Sequence, residues 1–187
     1  YTSSIQADLG NPYGSSKHAA EVVLQDLATR QSSKVFLFRL PNVFGKWTRP
    51  NYNSVVATFC HNISRDLPIQ INDPEACISL VYIDDVIAHF LALMDGQKSG
   101  GVVVTVGPKC GITLGGLANQ LCTFRDGRKT LITEAVGTGL VRALYSTYLS
   151  YLPPESFTDE VPKYGDSRGI FVEMLKTHDS GQFSFFT

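Results

Sequence analysis

No glycine fingerprint of the G-x-G-x-x-G kind, which cradles a dinucleotide's phosphates, occurs anywhere in this chain. Gly137-Thr138-Gly139 lacks the third glycine and follows no clear strand, so it reads as a turn. A basic excess is missing too: 16 Lys and Arg stand against 17 Asp and Glu, a net charge of -1, which leaves no electrostatic footprint for nucleic acid. No apolar run approaches the length of a membrane-spanning helix, and no signal peptide is visible. Cys60, Cys77, Cys110 and Cys122 are scattered, without a C-x-x-C pair. They read as small buried hydrophobes of a reducing compartment, and the chain as cytoplasmic. His18, His61, His89 and His178 are isolated and lack metal-ligand spacing, and His89 reads as a packed or surface histidine.

What remains is an ordinary globular composition, 43% hydrophobic and 18% charged over 187 residues. That is enough for one core or parts of two. Tyr1-Thr2-Ser3-Ser4 reads as the end of a buried strand, and Gly181 to Thr187 stops inside another. The expectation is a fragment cut at both ends.

Asn11-Pro12-Tyr13-Gly14-Ser15-Ser16-Lys17 carries the strongest chemical signal. Asn11 suits an N-cap and Pro12 the first helical residue. Tyr13 and Lys17 are four apart and so share a face. The stripe Ala20, Val23, Leu24, Leu27 and Ala28 extends back through both, which predicts that they lie on the face packed against a core. An ammonium beside a phenol favours the phenolate, and a phenol tuned downward from about 10 can give and take a proton near neutral pH. A serine hydroxyl, from Ser4 or its neighbour Ser3, would hold a substrate oxygen. Spacing alone also fits a solvated surface pair.

Helical and strand signals then alternate. Lys34 to Leu40 is a continuous apolar run, the mark of a strand buried on both faces of a parallel sheet. A helix is expected over Ser54 to Ile63, short strands at Ile69 to Ile71 and Ile78 to Ile83, and a helix to Met94 capped by Asp84 or Asp85. A strand follows at Val102 to Val106, a helix from Thr113 through Leu121, and a further helix over Gly139 to Tyr151. Gln97 to Gly101 and Asp126 to Lys129 read as polar surface turns. Pro153 to Pro162 reads as a linker. Gly169 to Leu175 and Gln182 to Phe186 alternate around His178-Asp179-Ser180-Gly181, a hairpin signal.

Ser4, Tyr13 and Lys17 in this setting resemble the catalytic triad of extended short-chain dehydrogenases acting on nucleotide sugars. Phe38-Arg39-Leu40-Pro41-Asn42-Val43-Phe44-Gly45 looks like the strand and loop after the catalytic helix of that family. Val81-Tyr82-Ile83-Asp84-Asp85-Val86 looks like its later strand-to-helix joint. Phe44-Gly45-Lys46-Trp47, Leu144 to Leu152 and Asp166 to Glu173 further resemble the two-domain capsular-polysaccharide enzymes that join a reductase to a C-terminal cupin.

The resemblance implies an α/β fold. It would comprise the back part of a Rossmann-type reductase with its substrate lobe over residues 1–152, a linker over 153–164, and the first strands of a β cupin over 165–187. It implies NADPH-dependent reduction (with NADH as the alternative) of the C4 ketone of a UDP-linked 2-acetamido-2,6-dideoxy amino sugar, on the route to N-acetyl-L-fucosamine. Tyr13 would move the proton, Lys17 would tune it and hold the ribose, and Ser4 would bind the substrate oxygen. Leu40 and Pro41 would lie along the nicotinamide, and Asn42 and Asn53 would reach the substrate. The full-length parent is expected to be a homodimer, the fragment alone inactive.

One departure is visible. Glu75-Ala76-Cys77-Ile78-Ser79 lacks the Arg that many relatives place there to clasp the diphosphate, and Lys46, Arg49, Asn51 and Asn53 are the candidate substitutes. A nucleotide-sugar 4-epimerase or dehydratase on the same scaffold, or a non-catalytic dinucleotide-sensing protein, are the competing readings. Loss of the Tyr or the Lys would favour the last, and both are present.

Overall fold

The structure, a computed structural model, describes residues 1–31, 34–96, 102–158 and 160–187. In chain order the elements are β1 (Thr2–Ser4), a 3-10 turn (Ile5–Asp8), α1 (Pro12–Gln31), β2 (Leu37–Leu40), β3 (Asn42–Phe44), α2 (Val55–Ile63), β4 (Cys77–Tyr82) and α3 (Ile83–Met94). There follow β5 (Val103–Val104), β6 (Cys110–Thr113), α4 (Leu114–Thr130), α5 (Gly139–Leu149), a 3-10 turn (Pro154–Phe157), β7 (Lys163–Asp166), β8 (Gly169–Lys176) and β9 (Gln182–Phe186). The chain divides into two compact units, one of Tyr1–Val43 with Ile78–Gly111, the other of Phe44–Cys77 with Ile112–Thr187.

In the first unit β2 lies between β1 and β5, parallel to both, with Ser4 opposite Leu40 and Phe38 opposite both Thr2 and Val104. A strand flanked on both edges and covered on its faces is rich in apolar residues, and β2 supplies Leu37, Phe38 and Leu40 around the ion-paired Arg39. Its core gathers Phe38, Leu40, Val81, Val86 and Val106, with the rings of Phe38 and Phe90 edge to face at 4.3 Å. Each such buried side chain is worth about 1.5–3 kcal/mol over exposure. A second sheet runs in the order β3-β4-β6.

The second unit contains α2, α4 and α5 around Val56, Cys60, Leu117, Leu121, Leu144 and Tyr148. Burial pushes the Tyr148 phenol up to about 12. β7, β8 and β9 form an antiparallel sheet. Its middle strand is tied back to the segment after α4, where Lys176 donates to the Leu131 carbonyl at 2.8 Å and accepts from the Thr133 amide at 2.8 Å.

Local signals place most elements, and the differences have physical causes. Ser54 and Thr113 cap α2 and α4, accepting from the amides of Ala57 at 3.2 Å and Gly116 at 3.0 Å. Asp84 and Asp85 do not cap α3: the cap is Tyr82, and the two carboxylates lie inside the first turn, where the helix dipole favours them. Ile69 to Ile71 forms no strand, because alternation without a partner makes no ladder. α4 runs past Leu121 to Thr130, so the polar run Asp126 to Lys129 is its last turn. β5 is shorter than the apolar stretch around it, and β6 and β7 carried no clear sequence signal. Of the four cysteines only Cys60 is buried; Cys77 is exposed and the others are half-buried. Gln97 to Gly101 lie outside the described residues.

The largest correction concerns α1. Its inner face runs through Gly14, Lys17, Glu21, Leu24 and Ala28. Tyr13 is 50% exposed, Val23 66% and Leu27 39%, while Glu21 is 2% exposed. Glu21, paired with Arg39, rather than Val23 takes the inward position on this helix.

Candidate active site

α1 begins where Asn11 Oδ1 accepts the Gly14 amide at 2.7 Å, the expected cap. That places Tyr13 in the first turn, half in solvent, with its ring offered outward. One turn on, the Lys17 ammonium stands 5.6 Å from the Tyr13 ring centroid and 5.4 Å from that of Tyr1. It donates to the Thr2 carbonyl at 3.3 Å. Two ring faces and a strand carbonyl therefore hold a positive charge beside the phenol. An ammonium carries three donors, and this carbonyl occupies one of them.

Ser4 ends β1 directly opposite Leu40. Its hydroxyl oxygen accepts from the Gln6 amide at 3.2 Å and caps the 3-10 turn. Accepting leaves the hydroxyl proton free to be donated elsewhere. Ser3, next along the strand, projects to the opposite face and is 5% exposed. Its hydroxyl helps to hold the Glu21 carboxyl down, yet makes no hydrogen bond of ordinary geometry among the described residues. Leu40 and Pro41 are buried at the end of β2. Asn42 is exposed at the start of β3, and its Nδ2 donates to the Ser79 carbonyl at 3.1 Å. The first unit thus brings Ser4, Tyr13, Lys17, Leu40, Pro41 and Asn42 into one compact body.

Asn53 belongs to the second unit, exposed and next to the α2 cap. The loop before it is pinned and strained. Asn51 donates its amide to Thr58 Oγ1 at 2.9 Å, the Tyr151 hydroxyl bonds the Thr48 carbonyl, and Trp47 and Asn51 both have positive φ, at 62° and 54°. It displays Trp47, Tyr52 and an Arg49 guanidinium 5.6 Å from the Tyr52 ring centroid.

Sequence reasoning missed Glu21 and Asp8. The Arg39 Nε and Nη2 fork onto the Glu21 carboxylate at 2.6–3.2 Å, and Nη1 reaches both Asp8 oxygens at 2.8 and 2.9 Å. The Arg39 hydrogen bond holds the Glu21 carboxyl below its ordinary range, against burial, with Ser3 and charge attraction helping. The available signal was spacing: Glu21 lies four residues past Lys17, on the same helical face. Among the described residues, no three His, Cys, Asp or Glu gather into a metal site, and no helix is long and apolar enough to cross a membrane.

A half-buried Lys thus stands beside a helical Tyr, near the end of a parallel strand that carries a Ser, on an α/β scaffold. The sequence pattern of the NAD dependent epimerase/dehydratase family matches residues 1–107, and the chain belongs to that family. Among its relatives is the UDP-2-acetamido-2,6-beta-L-arabino-hexul-4-ose reductase of Pseudomonas aeruginosa, 63% identical over the whole chain and 50% of that protein. The crystal structure of the capsular polysaccharide assembling protein CapF from Staphylococcus aureus superposes with a TM-score of 0.93 at 41% identity, over 98% of this chain and 51% of that one. The UDP-glucose 4-epimerase of Thermotoga maritima, at 23% identity and a TM-score of 0.63 over 79% of this chain and 54% of its own, shares the fold. The chain spans about half the length of the first two relatives.

Proposed function

We propose that this chain carries the proton-transfer machinery of an NADPH-dependent reductase, acting in the cytoplasm on the C4 ketone of a UDP-linked 2-acetamido-2,6-dideoxy sugar. The product would serve capsular or surface polysaccharide built with N-acetyl-L-fucosamine. The observation that carries the reading is the Lys17 ammonium beside the half-exposed Tyr13 ring, with Ser4 at the end of the neighbouring strand. The 63% identity to a named hexulose reductase supports the substrate class.

The residues fit a nicotinamide cofactor. Lys17 keeps ammonium donors for ribose hydroxyls, and Leu40 and Pro41 supply an apolar wall at the strand end. When bound, that cofactor supplies a hydride to the carbonyl carbon. Tyr13 delivers the proton to the carbonyl oxygen, Lys17 steadies the phenolate left behind, and Ser4 donates a hydrogen bond to the same oxygen. Ser4 suits that task better than Ser3, whose hydroxyl is turned inward beside Glu21. Asn42 and Asn53 hold the nucleotide sugar. NADH in place of NADPH is the alternative cofactor. The working protein is a homodimer in which residues 1–152 form part of the reductase, 153–164 a linker and 165–187 the opening of a cupin.

Product analysis tests the reaction class. The full-length protein, given the UDP-linked 4-keto sugar and NADPH, should oxidise one cofactor per sugar reduced. Interconversion of sugar epimers without net cofactor oxidation would establish the epimerase reading instead.

A further inference from the structure

Arg39 is bonded to both helical segments that carry the candidate catalytic groups. Glu21 stands on α1, one turn past Lys17 and two past Tyr13. Asp8 closes the 3-10 turn that Ser4 opens. Arg39 itself sits on β2, opposite Ser3 and immediately before Leu40. Its planar group binds the two carboxylates through the five hydrogen bonds described above, and Glu21 is almost wholly buried while the adjoining Val22 and Val23 face solvent. Apolar contact is non-directional, whereas a guanidinium fork fixes distance and angle together.

We propose, resting on the reading of the site given above, that Arg39 and Glu21 are positioning residues. Their fork sets the register of α1 along β1 and β2 and so holds Tyr13 and Lys17 at the distance from Ser4 that proton transfer requires. The proposal adds two residues to the reaction without giving either a contact with substrate. A helix that slides by about 1 Å can cost roughly a hundredfold in rate, so a small loss of register suffices.

The test uses the full-length protein in three variants: Arg39→Lys, Glu21→Gln, and Arg39→Met with Glu21→Met. Arg39→Lys keeps the charge and loses the fork. It should lower kcat by about tenfold or more with KM for the nucleotide sugar changed by less than about threefold, the signature of a group acting on the chemical step. Glu21→Gln should behave in the same way. The double Met variant replaces a buried ion pair by apolar packing, which restores stability in many proteins. Its melting temperature should return towards that of the parent while kcat stays low. If kcat recovers together with melting temperature, the pair is merely structural and the proposal fails. A parental kcat in Arg39→Lys overturns it equally, and decides the matter if the double variant does not fold. Tyr13→Phe, assayed alongside, separates the two failures. Full turnover there removes the reading of the site itself, whereas an inactive Tyr13→Phe beside a fully active Arg39→Lys removes only the positioning role.

Discussion

Gly14 meets the backbone of Leu9 at contact so close that a Cβ on the glycine would lie 2.6 Å from the Leu9 carbonyl oxygen, and nearer still to that of Gln6. The first turn of α1 thus rests directly on the 3-10 turn that leaves Ser4. Tyr13 precedes this glycine and Lys17 follows it by three residues, so a tight backbone approach lies between the two ionisable groups of the site. Together with the Arg39 fork two turns later, it gives α1 two points of attachment.

Replacing Gly14 by Ala should therefore push the helix away from the 3-10 turn. The obstacles are backbone oxygens, which cannot step aside as a flexible side chain would. We expect a stability loss of about 1–3 kcal/mol, the usual range for overpacking, read as a lower midpoint in urea denaturation. Turnover of the full-length protein should fall as well. A variant with parental midpoint and rate would show that the approach is looser than described.

Glu21 predicts an acid-side dependence of stability. Its carboxyl is held below the ordinary value of 4.5, first by the Arg39 hydrogen bond. A depressed folded-state pKa stabilises the fold fully above the unfolded value, and that contribution is lost as pH falls towards the folded one. The stability gap between the parent and Glu21→Gln should accordingly be constant near neutrality and shrink once pH drops below 4.5. Chemical denaturation at a series of pH values measures it. A gap unchanged into strong acid would contradict the ion pair.

The cysteines should separate by access. Cys60 is fully buried in the second unit, and burial pushes its thiol up, so it holds little thiolate. Cys77 is exposed. Brief alkylation of the native chain, followed by peptide mass analysis, should modify Cys77 and leave Cys60 untouched until denaturant is added. Early labelling of Cys60 would mean that the packing around it is open.

Much of this was legible in the sequence because it is locally encoded. Asn11, Ser54 and Thr113 are caps that act within three residues, and Asn11 and Thr113 are found where their residue types predict. The β2 run and the hairpin of β8 and β9 follow from apolar patterning. What was hidden depends on partners far along the chain. Glu21 is buried where Arg39, 18 residues on, neutralises it, and Val23 lies off that inward face. Ile69 to Ile71 has a strand's alternation but no strand beside it. Asp126 to Lys129 is polar because it faces solvent, which says nothing about whether the backbone is helical. At the end of β1 the sequence offers Ser3 and Ser4 alike, and the structure buries Ser3 while leaving Ser4 half-buried.

Tyr13→Phe in the full-length protein tests the central claim most directly. The variant keeps the ring beside Lys17 and removes only the proton that the hydroxyl supplies. Under the proposed chemistry kcat for reduction of the UDP-linked 4-keto sugar falls by about a hundredfold or more, within the usual worth of a general acid, while KM for the sugar and the affinity for NADPH hold. A variant that keeps most of the parental kcat would contradict Tyr13 as the proton donor and return Tyr13 and Lys17 to an exposed helical pair without a catalytic role.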